Sequence, residues 1–138
     1  MKTFIHSGLL LLLAFIPCAS AESLLLVANT SGKEVHLTRE EVRNLYMGAP
    51  LSQKLTPIAL PPRHPLRSLF NTRVVGLAES RIQSYWAQMR FTGRKQPPKE
   101  LEGEEQLLHY LSETPGAVGY VSASSELPAT LTVIYQLH

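Results

Sequence analysis

The chain has 138 residues, with 13 basic and 11 acidic side chains and a formal net charge of +2. Every acid is a glutamate, so any mechanism that requires an aspartate is excluded. One cysteine allows no disulfide within the chain, and the near-neutral balance does not argue for nucleic acid or a membrane surface.

Residues 1–21 read as a secretory leader. Lys2 gives a positive start, residues 9–16 are an unbroken apolar run, and Pro17 breaks it. Ala19-Ser20-Ala21 is an A-x-A cleavage site, and the run is too short for a membrane span. Cleavage after Ala21 would leave a domain over 22–138, 117 of the 138 residues, with a charge of +1 once Lys2 is lost. Cys18 lies in the leader behind Pro17, where a lipid-attachment site wants a small residue. The cleaved chain would have no thiol. An exported domain without disulfides fits a bacterial periplasm.

In the domain, residues 23–28 (SLLLVA) predict a buried central strand. Asn29-Thr30-Ser31-Gly32 predicts a turn. Thr38-Arg39-Glu40-Glu41 matches a capping box, with Val42, Leu45 and Tyr46 as the apolar side of the helix and Gly48 as its stop. Residues 54–60 (KLTPIAL) predict a second strand, which Pro57 places at an edge or a strand end. Pro61-Pro62-Arg63-His64-Pro65 is an extended connector, and Pro65 suits the first turn of the next helix. Leu66, Leu69, Phe70 and Val74 predict the buried stripe of that helix, which ends near Gly76.

A further helix is expected from about Ala78. Ile82, Tyr85, Trp86 and Met89 fall at i, i+3, i+4 and i+7, one helical face with the chain's single tryptophan at its centre. Gly93 ends it, and Pro97-Pro98 prevents resumption. A helix near 104–112 buries Leu107, Leu108 and Leu111, with Glu104 and Glu105 in its first turn. Thr114-Pro115-Gly116 is a turn, 117–121 a strand, 122–128 a loop and 131–137 a closing strand. The predicted order is β-α-β-α-α-α-β-β, an α/β sheet with helices on its faces.

These pieces carry a family resemblance over residues 24–137. The opening strand ending in Asn29, LTREEVRNLYMG (37–48), the connector into Phe70, YWAQMRFTG (85–93), Pro97-Pro98 and TPGAVGYV (114–121) follow in order. In that order the chain resembles the substrate-binding proteins of phosphate ABC transporters, in a short stand-alone form; TPGAVGYV is similar to the family's P-G-A-[IV]-G-Y signature. The resemblance implies a type-2 periplasmic-binding-protein fold without catalysis, here a single lobe. It also implies phosphate or another oxyanion as ligand and an inner-membrane transporter as partner. The family's oxyanion loop resembles R-x-D-x-S-G-T-x-x-x-F. The stretch RHPLRSLF (63–70) keeps Arg63 and Phe70 at a shorter spacing and lacks the aspartate and the Ser-Gly-Thr.

The residues themselves point to the same stretch. A helix starting at Pro65 is expected to leave the N–H groups of Arg67, Ser68 and Leu69 free, with Arg63 and Arg67 flanking that end and the Ser68 hydroxyl beside it. Guanidinium forks and helix starts both suit an oxyanion. Thr30 and Ser31 are expected on the same cleft, because ligands sit at the carboxyl ends of strands in open α/β sheets. The plain alternatives are two solvated arginines on a connector and an ordinary turn. His36, His64 and His109 have no metal-ligand spacing, so neither a metal nor a cofactor is expected. Ser68, Ser124 and Ser125 have no partnering His and acid, and no G-x-S-x-G elbow exists, so no enzyme is expected. Two functions fit. One is a periplasmic solute-binding protein for phosphate or another oxyanion. The other is a binding-protein-like domain without solute binding that contacts a membrane transporter or sensor.

Overall fold

The computed structural model describes residues 23–138; the expected leader, its cleavage site and Cys18 lie outside them. β1 (Leu24–Ala28) is buried at all five positions. It lies inside the sheet because β4 (Ala117–Ser122) and β5 (Thr132–Leu137) pair with its two edges, both antiparallel. β2 (Thr56–Ala59) runs parallel to β4 and carries β3 (Lys99–Glu100), also parallel, on its outer edge. The strand order is β3-β2-β4-β1-β5. β3 was not expected: two exposed charged residues give no strand signal. Pro57 fits its place, because the outer strand pairs only from Ile58 onward. The register between β1 and β5 slips between Leu26 and Val27. Ile134 is left unpaired there as a bulge, and its carbonyl accepts the Leu37 N–H at 2.9 Å.

Successive residues of β4 point to opposite faces. Tyr120 faces α1 (Arg39–Tyr46) and α2 (Pro65–Phe70), and its ring stacks on Phe70 at 4.2 Å between centroids. Tyr46 meets the same Phe70 edge-on at 4.6 Å. Gly119 faces α4 (Glu104–Glu113), and Leu107 fills the space that a side chain on Gly119 would occupy. Both faces of the sheet are thus covered, and the apolar core runs through the strands.

The helix starts follow local chemistry. At α1 both bonds of the capping box form, with Glu41 N–H donating to Thr38 Oγ1 at 3.2 Å and Thr38 N–H to Glu41 Oε2 at 2.8 Å. Pro65 opens α2 as expected, but α2 runs six residues and then widens into a π-helical turn over Asn71–Val75. Gly76, at φ 76°, closes that turn in the left-handed region. The buried stripe differs from the expectation. Arg67, Phe70, Asn71, Val74 and Val75 face inward, while Leu66 and Leu69 are only half-buried.

α3 (Glu79–Phe91) buries Ile82 and Trp86, with Tyr85 and Met89 half-buried beside them. Tyr85 donates its hydroxyl to the Met47 carbonyl at 2.8 Å, tying α3 to the end of α1. No helix among the described residues is long and apolar enough to cross a membrane.

Trp86, only 3% exposed, anchors α3. Trp86→Ala should therefore destabilise the fold by about 3–5 kcal/mol, and Thr38→Ala by about 1 kcal/mol through its lost cap. Urea melts of the two variants should rank them in that order; the reverse order would contradict the core assignment.

Candidate functional site

The expected anion-binding residues do not converge. β1 runs antiparallel to β4, and β2 runs parallel to it, so the carboxyl ends of β1 and β2 lie at opposite ends of the sheet. Thr30 and Ser31 follow β1, whereas Arg63, Arg67 and Ser68 follow β2. Strand rise alone separates the two groups by roughly 16 Å. Hydrophobic pattern gives strand positions but not strand direction, which is why a common cleft was expected. At its own end, Thr30 is buried with its hydroxyl 3.3 Å from that of Thr132. Ser31 takes a left-handed φ of 53°, and its N–H donates to Asn29 Oδ1. Asn29 in turn donates to the Leu111 carbonyl at 2.9 Å and the Ser112 carbonyl at 3.3 Å, near the end of α4.

The start of α2 is also occupied from within. His64 caps it, its Nδ1 accepting the Leu66 N–H at 3.2 Å. The N–H groups of Arg67 and Ser68, expected to be free, both donate to the His64 carbonyl, at 3.0 and 3.4 Å. Arg63 is exposed and forms an ion pair with Glu102. Ser68 faces away from the Arg67 cavity, in an open groove with Ser23, Leu66, Leu69 and Thr72.

Arg67 is the residue around which a site is built. Its side chain is 10% exposed, and each of its three nitrogens donates a hydrogen bond within the fold. Nε and Nη2 donate to the two oxygens of Glu79 at 3.1 and 2.6 Å, and Nη1 donates to the Leu60 carbonyl at 2.8 Å. Glu100, on β3, stands 3.7 Å from Nη1. Glu79 also accepts from Asn71 Nδ2 at 2.6 Å and Gln83 Nε2 at 2.9 Å. Burial alone would raise its pKa. The bonds from Gln83 and Arg67, the Arg67 charge and the Asn71 bond outweigh it and hold the carboxyl below its ordinary value. Glu79 gains further from its place in the first turn of α3.

A cavity of about 70 Å³ opens beside this network. Phe70, Tyr120, Ile82 and Trp86 supply apolar walls, while Arg67, Arg90 and Glu100 are its charged members. Tyr120 Oη accepts the Leu60 N–H at 3.0 Å, and burial pushes its phenol up to about 12. Tyr46, fully enclosed, is raised well above its ordinary value by burial and donates to the Ile58 carbonyl at 2.8 Å. Both phenols therefore stay neutral and act as fixed hydrogen-bonding groups. Glu79, Asn71, Glu100 and Tyr120 escaped the sequence reading. The available signal was polar residues 67 and 71 on the same helical side as Phe70 and Val74; a partner 12 residues further on has no periodic mark.

A second carboxylate is held at the carboxyl end of β4. Glu104 Oε1 accepts from Ser122 N–H at 2.7 Å, Ser122 Oγ at 2.9 Å and Ser125 Oγ at 3.1 Å. Burial opposes its ionisation, but these bonds and the nearby His64 lower its pKa. Among the described residues no group of three or more His, Cys, Asp or Glu is placed to hold a metal ion.

Arg67→Met should cost about 3 kcal/mol, since it strands the Glu79 carboxylate and the Leu60 carbonyl. Glu79 and Glu104 titrate below the ordinary 4.5 in the fold, so the unfolded chain takes up protons first as pH falls. Their contribution is complete above that value and is lost as pH drops through the lowered pKa values. Urea melts through the acid range should show stability falling, and Glu79→Gln should make that fall shallower. An unchanged acid limb in Glu79→Gln would contradict the network.

No protein-family model matches the chain, and no curated protein matches it. Among solved structures it is similar to an ABC-type phosphate transport receptor from Vibrio cholerae, with a TM-score of 0.60 and 17% identity. The likeness covers 82% of this chain and 45% of the receptor, so this chain spans less than half of that protein's length. At that identity the likeness establishes the fold alone: a mixed α/β sheet with helices on both faces, similar to part of that receptor.

Proposed function

We propose that this chain is an exported, periplasmic, binding-protein-like lobe that acts by contacting a protein partner, a membrane transporter or sensor, and not by holding a solute. The observation that carries this reading is the state of Arg67. The fold supplies its own anion, Glu79, to the fork that an oxyanion would need. Arg63 likewise faces Glu102. An incoming phosphate would have to displace a carboxylate already held by four hydrogen bonds.

A second reading has one specific observation in its favour, the fold likeness to a phosphate transport receptor. In it, phosphate or another oxyanion binds against Arg63, Arg67 and Ser68 for an ABC transporter, with Thr30 and Ser31 as a separate patch at the far end of the sheet. Neither reading involves catalysis or a cofactor.

Isothermal titration of the chain lacking residues 1–21 with phosphate and with sulfate separates the two. The protein-contact reading expects no heat from either anion. Micromolar binding lost about tenfold or more in Arg63→Ala, the value of one charge-assisted bond, would instead establish the oxyanion reading.

A further inference from the structure

The exposed side of α3 carries charge and apolar surface that the fold does not use. Between Glu79 and Glu100 the sequence holds Arg81, Arg90, Arg94, Lys95 and Lys99 and no acid. Lys99 sits over the Tyr110 ring at 4.6 Å. Among the described residues, Arg81, Arg90, Arg94 and Lys95 belong to none of the ion pairs. The overall charge is nearly neutral, yet this segment is purely cationic.

Phe91 stands in the middle of it. It is 93% exposed, the one large hydrophobic side chain among the described residues that folding leaves in water. At 100° per residue it lies opposite Ile82 and Trp86, the two residues that α3 buries. Its exposure is therefore fixed by the helix register. The end of α3 is also held in shape. Gly93, in the left-handed region, donates to the Arg90 carbonyl at 3.0 Å, and Arg94 N–H donates back to the Met89 carbonyl at 3.2 Å. These are the two bonds of a Schellman cap, and they bring Arg94 back beside the last turn. Lys95 lays its aliphatic stem against Gly48, beside the edge of Trp86.

We propose that this end of α3 docks on an anionic phospholipid surface, with Phe91 entering the headgroup layer and Arg94 and the ammonium of Lys95 against the lipid phosphates; Arg90 lines the cavity beside Arg67 and is not part of this surface. The charge selects an anionic partner, since cations near such a surface are attracted with no counter-charge to displace. The shape selects a bilayer. Phe91 and Arg94 line none of the three described cavities, so the aromatic rises from a convex helix end. A lipid interface accepts an apolar side chain with cations nearby without a preformed socket, whereas a protein partner must supply a matching pocket. The inference is independent of what occupies Arg67.

The test is co-sedimentation with vesicles of phosphatidylglycerol and phosphatidylethanolamine, and with vesicles of phosphatidylcholine alone. It uses the chain lacking residues 1–21, which retains the whole described fold and removes an apolar run that would bind lipid by itself. Binding should appear with phosphatidylglycerol, weaken with added salt and be absent with phosphatidylcholine. Arg94→Glu should lower it about tenfold or more, the combined effect of removing one attraction and adding one repulsion. Phe91→Ser should weaken it with no change in melting temperature, because the ring makes no core contact. Exposed Lys33→Glu, away from this segment, should bind nearly as wild type. No binding to phosphatidylglycerol, equal binding to both vesicles, or full binding by Phe91→Ser would overturn the proposal. Binding to soluble poly-glutamate but not to vesicles would also overturn it and assign the surface to an acidic protein.

Discussion

A buried guanidinium cannot shed its charge, so the fold has to surround Arg67 with acceptors, and much of one face of the sheet is arranged to do so. Leu60 offers its carbonyl just beyond β2, Glu79 offers a carboxylate from the start of α3, and Asn71 steadies that carboxylate from the π-helical turn. These groups come from separate segments, and one side chain fixes their spacing. The π-helical turn has a role in this. Asn71's carbonyl accepts Gly76 N–H at 2.7 Å and Leu77 N–H at 3.2 Å while its side chain reaches Glu79. The backbone is thereby turned so that α3 begins within reach of α2. A regular α-helical continuation would place Glu79 elsewhere.

The same network separates fold from function. The sheet and helices stand without a ligand because the apolar core of β1, β4, Phe70 and Trp86 requires none. The polar end of α2 is different, because a cation placed there needs an anion. In this chain that anion is a residue of the next helix, Glu79. Phe70, Tyr120 and Tyr46 then close over the remaining space as a neutral aromatic wall. What is left is a small cavity beside an internally neutralised pair, together with an outer surface whose charge lies elsewhere, on α3.

Much of the architecture was legible in the sequence because it rests on local rules. The capping box at Thr38 and Glu41, Pro65 at a first turn, Gly93 at a helix end and the apolar strand at β1 each follow from a few neighbouring residues. The Trp86 face follows from helical periodicity. Three features were not legible. The antiparallel direction of β1 has no signature in a run of leucines, so Thr30 and Ser31 were assigned to the wrong end of the sheet. β3 is two charged residues whose pairing depends only on lying beside Ile58 and Ala59. Arg67 reads as surface because arginine is rarely buried, and the partner that reverses that preference is far along the chain. The local charge of α3 was hidden by the balance of the whole chain.

The claim on which this account turns is that Arg67 and Glu79 act as one internal ion pair. A double-mutant cycle of Arg67→Met and Glu79→Leu, read by urea unfolding at neutral pH, measures it directly. The account predicts that each single change is destabilising and that the double variant is more stable than their sum by about 2 kcal/mol or more, because each single change strands the other's charge. Losses that add to within about 0.5 kcal/mol would contradict it, since independent sites behave in that way.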